Sequence, residues 1–130
     1  MKIHTGNFAN LKKYKEAGLF PVSIALSSRY FTGITYKPLN PDRSFLNDHE
    51  DIYTPKFNKI LQSLSASKVL EDLKMISNGQ DIVLLCHESE NEFCHRRLVA
   101  KWLEKHLKIE VKELGKMKSE SQIAVTQNLF

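Results

Sequence analysis

The segment Ile82-Val83-Leu84-Leu85-Cys86 constrains the fold of this chain more than any other. It is short, rich in branched residues and apolar at every position, so both of its faces must be covered. Such a strand belongs in the middle of a parallel sheet, and parallel neighbours need crossover connections that lay helices on the sheet. The rest of the chain can supply both. Lys2–Thr5, Phe20–Leu26, Ile34–Tyr36 and Ile109–Leu114 read as further strands. Phe8, Leu11 and Tyr14 recur at helical spacing before Gly18, and Phe57, Ile60, Leu61 and Leu64 trace one helical face. A second helix, capped by Ser65 or Ser67, runs through Val69, Leu70, Leu73 and Ile76 to Asn78-Gly79. The best helix carries Leu98, Val99, Trp102, Leu103, His106 and Leu107. This alternation predicts an α/β fold, a three-layer sandwich around a mostly parallel sheet.

One stretch resists assignment. Pro38 to Pro55 combines turn chemistry at Pro38–Ser44 with the polar run Asn47–Asp51, and reads as a lid-like loop or a mobile insertion. Its acids Asp48, Glu50 and Asp51 read as solvated loop surface. A single domain is expected over residues 1–114, with a loose tail over 115–130.

Composition bounds the function classes. The 130 residues, 42% hydrophobic and 26% charged, exclude a wholly disordered or collagen-like chain. A net charge of +4 tolerates an anionic partner without demanding nucleic acid. Polar residues interrupt Met1 to Asn10, and no apolar run approaches the roughly 20 residues that span a bilayer. Two cysteines are too few to staple a domain that builds its own core. The expectation is a cytoplasmic protein with no membrane partner.

Ligands of open α/β sheets collect outside the carboxyl ends of the strands. The segment Cys86-His87-Glu88-Ser89-Glu90-Asn91-Glu92-Phe93-Cys94-His95-Arg96-Arg97 occupies that place, packing two Cys, two His, three Glu and two Arg into twelve residues. With Asn91 as the cap, Cys94 falls in the first turn of the helix, where the dipole favours a thiolate. On a wheel of about 100° per residue, His95 projects into the inner face, Arg96 lies at its edge and Arg97 points to solvent. In the strand, Cys86 and Glu88 share one side and His87 takes the other. A cation at a helix start calls for a compensating carboxylate, for which Glu88 is the nearest candidate, or for a bound anion such as phosphate.

Four readings compete. Cys86, His95 and Arg96 are ordinary core and salt-bridge residues. Alternatively, Cys94 is a nucleophile or redox thiol, Arg96 and the helix start hold an anion, and Glu88 or His95 moves the proton. A third reading is zinc on Cys86, His87, Cys94 and His95, against which the spacing and the opposed strand faces argue. The last is anion or nucleic-acid binding without chemistry. A phosphatase-type loop is excluded, because Glu92 and Ala100 stand six residues after the two cysteines. The catalytic set assigned is Cys94, Glu88 and His95, lined by Cys86 and His87, with neither metal nor cofactor.

The strand ending Leu85-Cys86, then Glu88, then Cys94-His95-Arg96 before a helix resembles the signature of domain-of-unknown-function family 488. The resemblance covers roughly residues 1 to 114. It implies a Rossmann-like or flavodoxin-like fold with Cys86, Glu88, Cys94, His95 and Arg96 gathered at one site, and it implies no activity. Many members carry Asp-x-Arg after the second strand, whereas this chain has Ser27-Ser28-Arg29. Arg29 is read as a second anion holder or, alternatively, as an exposed loop arginine. The expected partner is an anionic small molecule or nucleic acid.

The tail adds a separate hint. Gln127-Asn128-Leu129-Phe130 resembles, one residue short, the peptides that bacterial replication proteins insert into the sliding clamp. The basic residues Arg97, Lys101, Lys105, Lys108, Lys112, Lys116 and Lys118 read as a solvated helix face and tail.

Overall fold

Strand β4, Ile82–Cys86, is buried along its whole length at the centre of a five-stranded sheet. The computed structural model describes residues 1–28, 30–88 and 93–115. Around β4 lie β1 (Ile3–Asn7), β2 (Phe20–Ser23), β3 (Ile34–Thr35) and β5 (Val111–Glu113), in the order β3-β2-β4-β1-β5. Every pairing among them is parallel, with Ile3 opposite Ile82 and Asn7 opposite Cys86 at the two ends of the central ladder. The strands expected at Ile109–Leu114 and Phe20–Leu26 are shorter, at Val111–Glu113 and Phe20–Ser23, although Leu114 and Ile24 still donate to Thr5 and Leu85 of the neighbouring strands.

Alternation along β4 divides the core. Ile82 and Leu84 face a large cluster with Phe57, Leu61, Leu73, Val99 and Leu103, from helices α2 (Glu50–Gln62), α3 (Ala66–Ser77) and α4 (His95–Leu107). Val83 and Leu85 face the opposite way, onto Tyr14 of α1 (Leu11–Glu16) and Leu19. The result is the expected three-layer α/β sandwich of Rossmann-like or flavodoxin-like form. No helix among the described residues is long and apolar enough to cross a membrane.

The expected lid over Pro38–Pro55 is corrected. Leu39 and Phe45 are buried in the main cluster, on two 3-10 turns at Lys37–Leu39 and Arg43–Phe45. Helix α2 already begins at Glu50, capped by the His49 side chain, which accepts from the Asp51 N–H. Glu50 and Asp51 thus stand in a first turn, where the dipole favours them, and Asp48 pairs with Lys56 at 3.2 Å. Pro55 hid this helix from a reading of breakers; it lies inside α2, in the second turn, where it cannot donate to the Asp51 carbonyl, and the helix continues through it. The second cap is Ser65, whose hydroxyl accepts from the Lys68 N–H, and Asn78 closes α3 in the left-handed conformation at φ 55°. Residues 29, 89–92 and 116–130, and with them the readings of Arg29, Asn91 and Gln127–Phe130, lie outside the described residues.

Candidate functional site

The carboxyl end of β4 delivers Cys86 to the rim of the sheet, and α4 returns Cys94 to the same point. The expected cap Asn91 is corrected: Cys94 itself is the N-cap, with extended backbone at φ −149° and ψ 144°, and the helix starts at His95. Both cysteines are almost fully buried and their sulfurs are joined in a disulfide of 2.00 Å. Ala25, just beyond β2, packs against the pair.

His95 has a defined tautomer. Its Nε2 lies 2.7 Å from the carbonyl oxygen of Ile24, which can only accept, so Nε2 carries the proton. Nδ1 therefore turns its lone pair toward Cys94 Sγ, 3.7 Å away. Phe57 closes the ring edge-on, with centroids 5.2 Å apart. Burial, partly offset by the Ile24 hydrogen bond and reinforced by the charge of Arg96, pushes the imidazole down to about 4. The ring is accordingly neutral at physiological pH.

Arg96 departs furthest from expectation. It is not at the edge of the helix face but fully buried, and its carboxylate is Glu113 of β5 rather than Glu88. Its Nε reaches both oxygens of Glu113 at 3.0 Å and its Nη2 reaches one at 2.8 Å. Nη1 donates to Cys86 Sγ at 3.0 Å and to the backbone carbonyl of Glu88 at 2.8 Å. Thr5 adds a 2.6 Å hydrogen bond to Glu113. Burial alone would raise the Glu113 carboxyl, but the bonds from Arg96 and Thr5 hold it below the usual range. One guanidinium thereby ties α4, β5 and the end of β4 together, and it lies beneath the site rather than on its wall.

Above this base opens a cleft of about 260 Å³, walled by Ser27, Tyr53, Glu88, Phe93, Cys94 and His95 among others. Glu88 faces Tyr53, whose hydroxyl is pushed up by burial and by that negative charge. Cys86, Cys94 and His95 are the described residues whose potential ligand atoms all lie within 4.8 Å of one another, so they could share a metal ion only with the disulfide reduced. His87 is not among them. It takes the other side of the sheet edge, as alternation requires, with Nε2 2.6 Å from the Ser27 carbonyl. The four-ligand zinc set is corrected on that point.

The structure therefore brings together Cys86, Cys94, His95 and Glu88, puts His87 at their border and sets Arg96 underneath. Sequence reasoning missed Glu113, Tyr53 and the Ile24 carbonyl. Only Glu113 left a trace, as one of two acids, with Glu110, in the strand expected over Ile109–Leu114.

A parallel α/β sheet with a clustered, partly buried Cys/His/Arg/Glu set at its carboxyl edge defines an α/β protein with a potential functional site. The sequence pattern of DUF488-N3a, described as the active DUF488-N3 subclade, matches residues 31–107, and the chain belongs to that subclade of the DUF488 family. No curated protein and no solved structure matches the chain.

Proposed function

We propose that the cleft is a thiol-dependent active site acting on a phosphorylated substrate of the nucleotide or nucleic-acid class. The observation that carries this reading is the Cys94–His95–Ile24 chain: the sulfur of the N-cap residue, a thiol once the disulfide is reduced, lies 3.7 Å from an imidazole nitrogen whose ring is locked by a backbone carbonyl. That is the arrangement of an activated nucleophile, with its base oriented by a third group. The disulfide must first accept two electrons and two protons from an external thiol reductant. The Cys94 proton then passes to His95 Nδ1 as sulfur bonds the electrophilic centre of the substrate. The same proton leaves with the departing group. Water, activated by the Glu88 carboxylate, hydrolyses the covalent intermediate and restores the thiol.

Arg96 becomes a positioning residue, since its guanidinium is engaged by Glu113 and Cys86 and cannot also clamp an anion in the cleft. The start of α4 supports the anion instead, with first-turn N–H groups and no acid in that turn. Arg29 keeps its expected anion-holding role as part of the proposal. The Gln127–Phe130 segment adds a sliding-clamp contact on sequence grounds alone, and deleting it should abolish capture by the clamp.

The burial of Arg96 on Glu113 favours a second reading for those two residues, in which a non-catalytic nucleic-acid-associated protein uses the cluster to rigidify the strand–helix junction. Alkylation of the reduced protein separates the two. The active-site reading expects Cys94 to react with iodoacetamide below pH 7, and Cys94→Ser to remove that reactivity while melting close to the reduced wild type. A Cys94 titrating as an ordinary thiol near 8.5, or reacting only on unfolding, ends the active-site reading.

A further inference from the structure

A second cavity, of about 400 Å³, opens across the sheet edge from the cleft. Its walls are Phe8, Leu11, Ser28, Tyr30, Phe31 and His87. Its volume falls within the roughly 300–1,000 Å³ typical of small-molecule sites. Phe8, Leu11 and Phe31 pack on the Val83, Leu85 and Tyr14 cluster, so the cavity belongs to the α1 face, whereas Cys94 and His95 belong to the α4 face. His87 lines both spaces.

Topology explains why the two adjoin. From β1 the chain crosses by α1 toward β2, and from β4 it crosses by α4 on the other face toward β5. Adjacent strands whose connections leave in opposite directions open a crevice at their carboxyl ends, and that is where α/β sheets take ligands. Here the crevice lies between Asn7-Phe8 and Cys86-His87, with Asn7 and Cys86 in register.

The walls select a planar ring. Phe8 stands 5.3 Å from Phe31 and 4.9 Å from His87 by ring centroids, and Tyr30 at the rim is 89% exposed. Aromatic faces turned to an opening are stacking platforms that accept any base. A purely aliphatic occupant would leave the polar edge of Ser28 and His87 unmatched. His87 donates through Nε2 to Ser27, so in the neutral ring Nδ1 is an acceptor for an amino or ring N–H group.

We infer that this cavity is the subsite for the nucleobase of the substrate, whose phosphorylated end crosses the sheet edge past His87 to reach Cys94. The inference rests on the thiol-site reading and narrows its substrate to nucleotides.

The test is calorimetric titration of the reduced full chain with the four common nucleoside 5′-monophosphates and with ribose 5-phosphate, which lacks the ring. At least one nucleotide should bind, and ribose 5-phosphate should bind at least about tenfold more weakly, the scale of base–aromatic stacking. Tyr30→Ala, at an exposed position that threatens no packing, and Phe31→Ala should each weaken that nucleotide several-fold and leave ribose 5-phosphate and Cys94 alkylation unchanged. Equal binding of nucleotide and ribose 5-phosphate, or unaltered nucleotide affinity in both variants, overturns the subsite. So does the absence of all nucleotide binding in a protein whose Cys94 still reacts below pH 7. Nucleotide binding that depends on Tyr30 in a protein with an ordinary Cys94 thiol supports the subsite while the thiol reading falls.

Discussion

Arg96 and Glu113, seventeen residues apart, are bound through three hydrogen bonds of 2.8 to 3.0 Å, with the guanidinium fully buried and the carboxylate side chain 27% exposed. The pair closes the base of the candidate site. Cys86 Sγ and the Glu88 carbonyl lie on the remaining Nη1, so Arg96 sets the position of one sulfur and of the turn that carries Glu88.

Breaking this pair from one side should therefore be expensive. Glu113→Gln leaves a buried guanidinium without its counter-charge, and the expected loss of stability is about 3 kcal/mol. The double variant Arg96→Met/Glu113→Leu removes both charges and should recover most of that loss. Urea denaturation of the wild type, Arg96→Met, Glu113→Leu and the double variant gives the coupling directly. Additive losses would show that the pair is not the unit described.

Gly6 is a packing requirement rather than a turn. A Cβ there would stand 2.6 Å from the Tyr14 hydroxyl oxygen and 2.7 Å from two ring carbons. Tyr14 is fully buried and cannot yield, because its hydroxyl donates to the Gly115 carbonyl at 2.6 Å. Gly6→Ala is expected to cost about 2 kcal/mol by overpacking. Pairing it with Tyr14→Leu should make the alanine nearly neutral relative to Tyr14→Leu alone, as read from thermal melts.

Much of this was legible in the residues. The apolar run at Ile82–Cys86 predicted a central parallel strand, and alternation put Cys86 and His87 on opposite sides of it. The Cys-x-Glu and Cys-His-Arg pieces predicted the family and the gathering of Cys86, Cys94 and His95. Three things were not legible. The partner of Arg96 was sought nearby, at Glu88, but long-range pairing across β5 is set by sheet order, which local spacing does not encode. The start of α4 moved from Asn91 to Cys94 because cap propensity yielded to the tertiary context that ties Cys94 to β4. The beginning of α2 was hidden by Pro55, since a proline weighs as a breaker in a sequence reading, whereas burial of Tyr53, Phe57 and Leu61 in the main core holds the helix through it.

Burial of His95 makes stability depend on pH. Its imidazole takes a proton near 6.5 in the unfolded chain and only at about 4 in the native state. Between those values the unfolded chain binds the extra proton, so native stability is complete above pH 6.5 and falls as the pH drops toward 4, by about 3 kcal/mol in all. His4, also lowered chiefly by burial, acts with the same sign. His95→Gln should flatten part of this slope, leaving the contribution of His4. Denaturant midpoints measured from pH 7.5 to 4 check it, and an unchanged slope in the variant would remove His95 as the source.

The two sulfurs should behave as one reversible unit. Cys86 and Cys94 are eight residues apart and disulfide-bonded, with no free cysteine in the chain. Iodoacetamide should leave the folded, unreduced protein unlabelled and add two groups per chain after treatment with a dithiol reductant. Cys86→Ser frees Cys94, which should then take one label without any reductant. Closing so short a loop restricts the unfolded chain by about 2.5 kcal/mol, so reduction should lower the melting temperature by several degrees. Cys86→Ser should lower it too, and its melt should no longer respond to reductant. A melt that responds to reductant in the wild type and equally in Cys86→Ser would assign the effect to something other than this bond.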